Sequence, residues 1–376
     1  MRRLLFTVTW NAALIVFLYL TIDFFVSGSA LRYQLVPAAY VIDDPRFHHS
    51  LAKSVCGLNT WGKARYEECT NSLGFRDSRI REIRPSSEKR CRIVFIGDSF
   101  TEGYGLPWEK TFVGIFANRF KNMEVLNAGV ASYSPSIYLR KIEWLLDQGV
   151  HFDHLVVYID ISDIQDEAAI YDFDSAGNVV NSRYSINVAA HVGDPPADVQ
   201  SVRTAPSWFA RVGAFVHSHF AVTSYFYYRI VNWKMAAPGD GTIRAMWTVS
   251  DDLPGYGDMG VNGGIQKAID NMAQLAALLR NREIAFSVAV YPWPDQLRYD
   301  TAESRQVRIW RSWCQRNGCA LFINHFPDFF AMKDHNDWRN SLYIPGDAHF
   351  SERGAHLIAE RLIREFEGYA AKSTCQ

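Results

Sequence analysis

Between Ile93 and Gly103 the chain reads Ile-Val-Phe-Ile-Gly-Asp-Ser-Phe-Thr-Glu-Gly, a β-branched apolar run that stops at a polar turn. With no charge inside it, Ile93–Ile96 fits a strand covered on both faces, which implies a parallel sheet flanked by helices. Similar runs recur at 123–127, 154–160, 284–291 and 319–323, and helical patterns near 108–121, 135–149, 264–281, 302–316 and 351–366 separate or follow them. The alternation predicts a three-layer α/β/α fold with a mostly parallel, five-stranded sheet. Ser134-Pro135 and Ser351-Glu352 supply helix starts. In such sheets ligands sit beyond the carboxyl ends of the strands. Ser99 falls there, close to the start of a helix whose backbone N–H groups would suit a developing oxyanion. A Gly-Asp-Ser turn is also ordinary strand-to-helix chemistry, so its partners decide.

Three blocks in order carry a family resemblance. Gly97-Asp98-Ser99 resembles the first block of the SGNH, or GDSL, hydrolases. Asn127-Ala128-Gly129-Val130-Ala131-Ser132 resembles the second, whose glycine lends an N–H to the oxyanion hole. Pro345-Gly346-Asp347-Ala348-His349-Phe350-Ser351 resembles the closing block with the catalytic Asp and His. The resemblance covers roughly 93–362 and implies a flavodoxin-like SGNH hydrolase fold. It assigns Ser99 as nucleophile, His349 as general base and acid, and Asp347 as the group that holds the imidazole tautomer. The oxyanion hole would comprise Ser99, Gly129 and the residue after the third strand. There the family has Gly-x-Asn-Asp and this chain has Asp160-Ile161-Ser162-Asp163, putting Ser162 in the place of the Asn. A serine donates one hydrogen bond and reaches less far. Losing one oxyanion donor typically costs about 10²–10³ in rate, so the substitution weakens the site without removing its chemistry.

The amino terminus sets the compartment. Arg2 and Arg3 precede an apolar stretch from Leu4 to about Val26, interrupted by Asn11, Asp23 and a few threonines. At about 1.5 Å per residue it can span the ~30 Å hydrocarbon core, and the arginines favour a cytoplasmic N-terminus. Gly28-Ser29-Ala30 would suit signal cleavage, but the stretch is longer than an ordinary signal core, which favours a retained anchor. The expected organisation is an anchor over 1–30, an extension over 31–91 and a catalytic domain over 92–376 with an insertion at 165–263. The catalytic domain would lie outside the cytoplasm, periplasmic or extracellular.

The chain is 48% hydrophobic and 21% charged with a net charge of −1, which supports a large core and gives no electrostatic footprint for nucleic acid. Six cysteines in an exported chain admit disulfides. Spacing suggests Cys56 with Cys69 and Cys314 with Cys319, with free buried thiols as the alternative. No His-Glu-x-x-His, EF-hand or phosphate-loop pattern occurs, so neither a metal nor a cofactor is expected. His151, His154, His325 and His356 read as structural or solvated; His48 and His49 are adjacent and cannot share a helix face, and a metal site there would need further ligands that the sequence does not show.

Residues 31–91 read as an irregular lead-in, although Gly74-Phe75-Arg76-Asp77 resembles a stretch ahead of the nucleophile strand in some exported members of the family. In the insertion, Tyr171–Val202 reads as loops. Trp208–Lys234 reads as an aromatic helix in which Arg211, His217, His219 and Arg229 argue against a second span. That helix would serve as a lid, face the membrane, or pack on the sheet's flank. Tyr291-Pro292-Trp293-Pro294-Asp295 closes the fourth strand, and its aromatics could stack on a sugar or wall the cleft. The expected activity is hydrolysis of acyl esters, acetyl first among them, on cell-envelope or extracellular saccharides. An O-acyltransferase with the same triad and a weakened glycan-binding or assembly module are the alternatives. Partners would be the acylated saccharide and the membrane, with protein partners undetermined.

Overall fold

The computed structural model describes residues 2–27, 40–61, 64–183 and 242–370, with residues 208, 212, 215–216 and 219–226 between them. The chain opens with α1 (Arg2–Val26) and an antiparallel ribbon of β1 (Val41–Asp44) and β2 (His48–Leu51). β3 (Cys56–Trp61), β4 (Ala64–Thr70), β5 (Arg76–Asp77) and β6 (Cys91–Ile96) follow. Next come a single helical turn α2 (Ser99–Glu102), α3 (Phe112–Arg119), β7 (Met123–Asn127), α4 (Pro135–Asp147) and β8 (His154–Ile159). A small hairpin of β9 (Tyr171–Phe173) and β10 (Val179–Asn181) lies in the insertion. The chain then continues through α5 (Gly260–Arg280), β11 (Ala285–Val290), α6 (Arg305–Asn317), β12 (Leu321–Asn324) and α7 (Glu352–Ala370).

The main sheet has eight strands in the order β12-β11-β8-β6-β7-β5-β4-β3. The five runs legible in the sequence are its parallel half, β12-β11-β8-β6-β7, wound as in flavodoxin-like folds. The expected count of five is corrected by β3, β4 and β5, which come from the extension and join antiparallel at the β7 edge. That stretch is therefore not an irregular lead-in. β6 is buried at every position: Ile93–Ile96 as the uncharged run requires, and Arg92 with its guanidinium paired to Glu124. The chain goes from β6 to β7 on one side and later returns to β8 on the other, so β6 sits at the topological switch point, where a crevice forms at the strand ends.

Both cysteine pairs suggested by spacing are disulfides, and Cys56 and Cys69 face each other across the β3–β4 register. Cys91 is also disulfide-bonded; Cys375 lies outside the described residues. Phe6–Val26 within α1 is long and apolar enough to cross a membrane. Near its end Asp23 accepts the N–H groups of Val222 and Thr223 at 2.8 Å each, and Ser27 Oγ accepts that of Ala221 at 2.5 Å. The insertion thus rests on the end of α1, with Phe24 against Phe220. Tyr171–Val202, read as loops, instead begins with the β9–β10 hairpin. Arg211, His217 and Arg229 lie outside the described residues.

Candidate active site

At the end of β6, Gly97 is required by closeness, because a Cβ there would meet Thr101 Oγ1 at 2.2 Å. Asp98 then caps α2, its Oδ1 accepting the Phe100 N–H at 3.0 Å. Ser99 becomes the first residue of that turn, which ends at Gly103 in the left-handed region with φ 94°. The expected helix over 108–121 is displaced from Ser99. It is a short turn at Trp108–Lys110 followed by α3, and the one-turn α2 takes its place beside the serine. Arg76, buried in β5, donates to the carbonyls of Glu102 and Gly103 at 2.6 Å each and to that of Leu106, so the extension braces the turn that follows Ser99.

Ser99, His349 and Asp347 are brought together across 250 residues of chain. His349 Nε2 lies 2.7 Å from Ser99 Oγ, and Nδ1 lies 2.5 Å from Asp347 Oδ1. The same Oδ1 accepts the His349 backbone N–H at 2.7 Å, so one short turn orients both residues. The indole N–H of Trp61 donates to Asp347 Oδ2 at 2.6 Å. The imidazole stacks on Phe100 and Tyr104, with centroids 4.7 and 5.4 Å away, and Trp61 meets it edge-on at 5.2 Å. Burial opposes an imidazolium here, but the Asp347 charge and hydrogen bond outweigh it and raise the His349 pKa above its usual 6.5, with Asp98 and Asp160 adding to the rise. Burial alone would raise the Asp347 pKa. The charge and hydrogen bonds of His349, aided by Trp61, instead lower it to about 2.

The residues expected to form an oxyanion hole are less closely gathered. The N–H of Gly129 turns to Asn127 Oδ1 at 3.1 Å. This glycine has a packing reason as well, because a Cβ would meet Thr101 side-chain atoms at 2.8 Å. Ser162, 5% exposed, follows β8 with its backbone N–H held by Asp160 Oδ1 at 2.6 Å. Among the hydrogen bonds of the described residues, none joins Ser162 to Ser99 or His349.

Tyr291 and Trp293 are not a sugar platform. They are 0% and 7% exposed, and both donate to Asp160 Oδ2, at 2.7 and 2.6 Å. Tyr291 also reaches Asp98 Oδ1 at 3.0 Å. Tyr291 and Trp293 instead pack behind Phe100, the ring that stacks on His349. Burial and the neighbouring Asp160 charge push the Asp98 carboxyl well above the ordinary aspartate range; Asp163, which accepts Tyr138 Oη at 2.9 Å, is pushed up by burial and the same charge. Trp61, Tyr104 and Arg76 were missed as site residues. Arg76 carried a signal in its Gly-Phe-Arg-Asp context, whereas Trp61 carried none.

No family model matches the chain, and no curated protein matches it in sequence. Similar solved structures include the psychrotrophic esterase EstA of a Pseudoalteromonas species, at 10% identity and TM-score 0.39 over 75% of this chain and 99% of that one. A lipolytic G-D-S-L protein of Veillonella parvula has 12% identity and TM-score 0.40, over 73% and 98%. A catalytic mutant of an acetylxylan esterase from Geobacillus stearothermophilus has 10% and 0.38, over 74% and 94%.

Proposed function

We propose that the chain is an SGNH-type serine esterase. The observation that carries this reading is the unbroken line Asp347–His349–Ser99, with 2.5 Å and 2.7 Å between its members. Ser99 Oγ attacks the ester carbonyl carbon while His349 Nε2 takes its proton. The tetrahedral intermediate collapses, the C–O bond to the alcohol breaks, and His349 returns the proton to that alcohol. Water, deprotonated by His349, then attacks the acyl-serine, releasing the acid and restoring Ser99. Asp347 keeps the proton of neutral His349 on Nδ1 and stabilises the imidazolium between steps. The Ser99 N–H heads the oxyanion site, with Gly129 and Ser162 completing it once the carbonyl oxygen draws them in.

The substrate reading is an acyl ester of an envelope or extracellular saccharide. It follows from the block resemblance and from export, for which α1 and the disulfides speak. In this reading α1 is a retained anchor, with the domain from 92 onward outside the cytoplasm. The test is turnover of an activated acetyl ester by the full chain in detergent, with and without saccharide acceptors. Free acetate supports hydrolysis, acetylated acceptor indicates transfer, and no turnover with no fluorophosphonate labelling of Ser99 overturns the reading.

A further inference from the structure

The extension reaches the site through one side chain. β3 ends at Trp61, paired in register with Ala64 at the hairpin's tip, and the Cys56–Cys69 disulfide closes the other end of the same hairpin. β4 continues through β5 to β7, so the hairpin is built into the main sheet. A side chain carried in this way is held more rigidly than one on a free loop.

Asp347 needs such support. It lies on a loop, and its side chain is 23% exposed. A carboxylate's last torsion is broad and two-fold, so packing sets its rotation poorly. Here its two oxygens have different partners. Oδ1 accepts both N–H groups of His349, and Oδ2 accepts the indole N–H of Trp61 at 2.6 Å. Three donors from two directions fix the carboxylate plane, and a charge-assisted bond of this kind is among the stronger ones. The indole donates and cannot accept, so it favours the anion, the form that holds a proton on His349 Nδ1. The ring also packs on Tyr104 at 4.8 Å, and Tyr104 stacks on His349.

We propose that Trp61 is a positioning residue of the triad, locking the Asp347 carboxylate in the rotation that orients His349. The extension is then a working part of the active site, delivered by a disulfide-closed hairpin. This rests on the serine-esterase reading, and the test separates the two.

Two replacements in the full-length protein are informative. Trp61→Phe removes the N–H and keeps an aromatic ring; benzothienylalanine at 61 exchanges the N–H for sulfur with nearly unchanged shape. For both, kcat for an activated acetyl ester should fall between about tenfold and a hundredfold with KM unchanged, since misplacing a catalytic group costs rate rather than binding. The low-field proton resonance of the His349–Asp347 hydrogen bond, sharp in the parent, should broaden or vanish in both, while the melting temperature of the benzothienylalanine protein stays at the parent value. Parent-like kcat in that protein overturns the proposal. So does a fall in kcat with the resonance intact, which would mark a structural role. If the parent turns over no ester, the esterase reading fails, and the resonance alone decides whether Trp61 orders the pair.

Discussion

Asp347 and Asp98 act on the same imidazole and are driven toward opposite charge states. Asp347 faces a cation-forming partner and accepts three N–H donors, which lower its pKa to about 2. Asp98, 3% exposed, is buried beside another carboxylate, Asp160, and is pushed toward the neutral acid. Residue type does not decide which aspartate stays anionic beside His349. Donor count, solvent and the sign of the nearest charge do.

The largest effect sets the floor for that comparison. Ser99→Ala should abolish ester turnover, a loss on the order of 10⁶-fold, and abolish fluorophosphonate labelling without lowering the melting temperature. Retained labelling at the parent rate would place the nucleophile elsewhere. Asp347→Asn should reduce kcat by about 10⁴, because the amide favours the wrong tautomer of His349. It should also move the pH profile. In the parent, kcat/KM should rise with pH as His349 loses its proton, with a midpoint above 6.5 because Asp347 holds the imidazolium. Without that charge, burial dominates and the midpoint should move down; an unmoved midpoint would break the assignment of Asp347 as the anionic partner. The same pair affects stability with opposite signs. The Asp347 contribution is present above pH about 4 and lost toward about 2, and the His349 contribution is present below 6.5 and lost as pH rises through its elevated pKa.

Ser162→Ala comes next. One oxyanion donor is worth roughly 2.7–4 kcal/mol at most, and a short hydroxyl should contribute less, seen as lower kcat at constant KM. Unchanged kcat would leave the oxyanion to backbone N–H groups. The smallest effect should belong to Asp98→Asn, which keeps the cap on Phe100 and resembles the neutral acid. Turnover should change by less than a factor of about three, or roughly 0.7 kcal/mol. A loss comparable to that of Asp347→Asn would erase the contrast between the two aspartates.

How much of this could be read from the sequence follows the same division between local and distant causes. The five parallel strands announced themselves because a strand buried on both faces reads as a near-continuous apolar run, as Ile93–Ile96 does. β3 and β4 contain Asn59, Thr60, Arg65, Glu67 and Glu68 and show no such run; pairing at the sheet edge and a disulfide make them strands. Ser99 and the Asp347–His349 pair stood out because each sits in a short local block. Trp61 meets Asp347 across 286 residues, and no local pattern encodes such a contact. The orientation of Tyr291 and Trp293 was equally hidden, since their choice between cleft and core depends on Asp160, a residue of another strand. The Gly129 assignment came from block position, while in the fold that residue is also constrained by the Thr101 side chain.

The span of the site along the chain bears on when it can exist. It joins Trp61 to Asp347 across 286 residues, so the indole leaves the ribosome long before the carboxylate it holds. A chain that stops short of Asp347 and His349 has neither partner for Ser99, whatever it folds before that point. On the serine-esterase reading, ester turnover would therefore report that translation had passed His349.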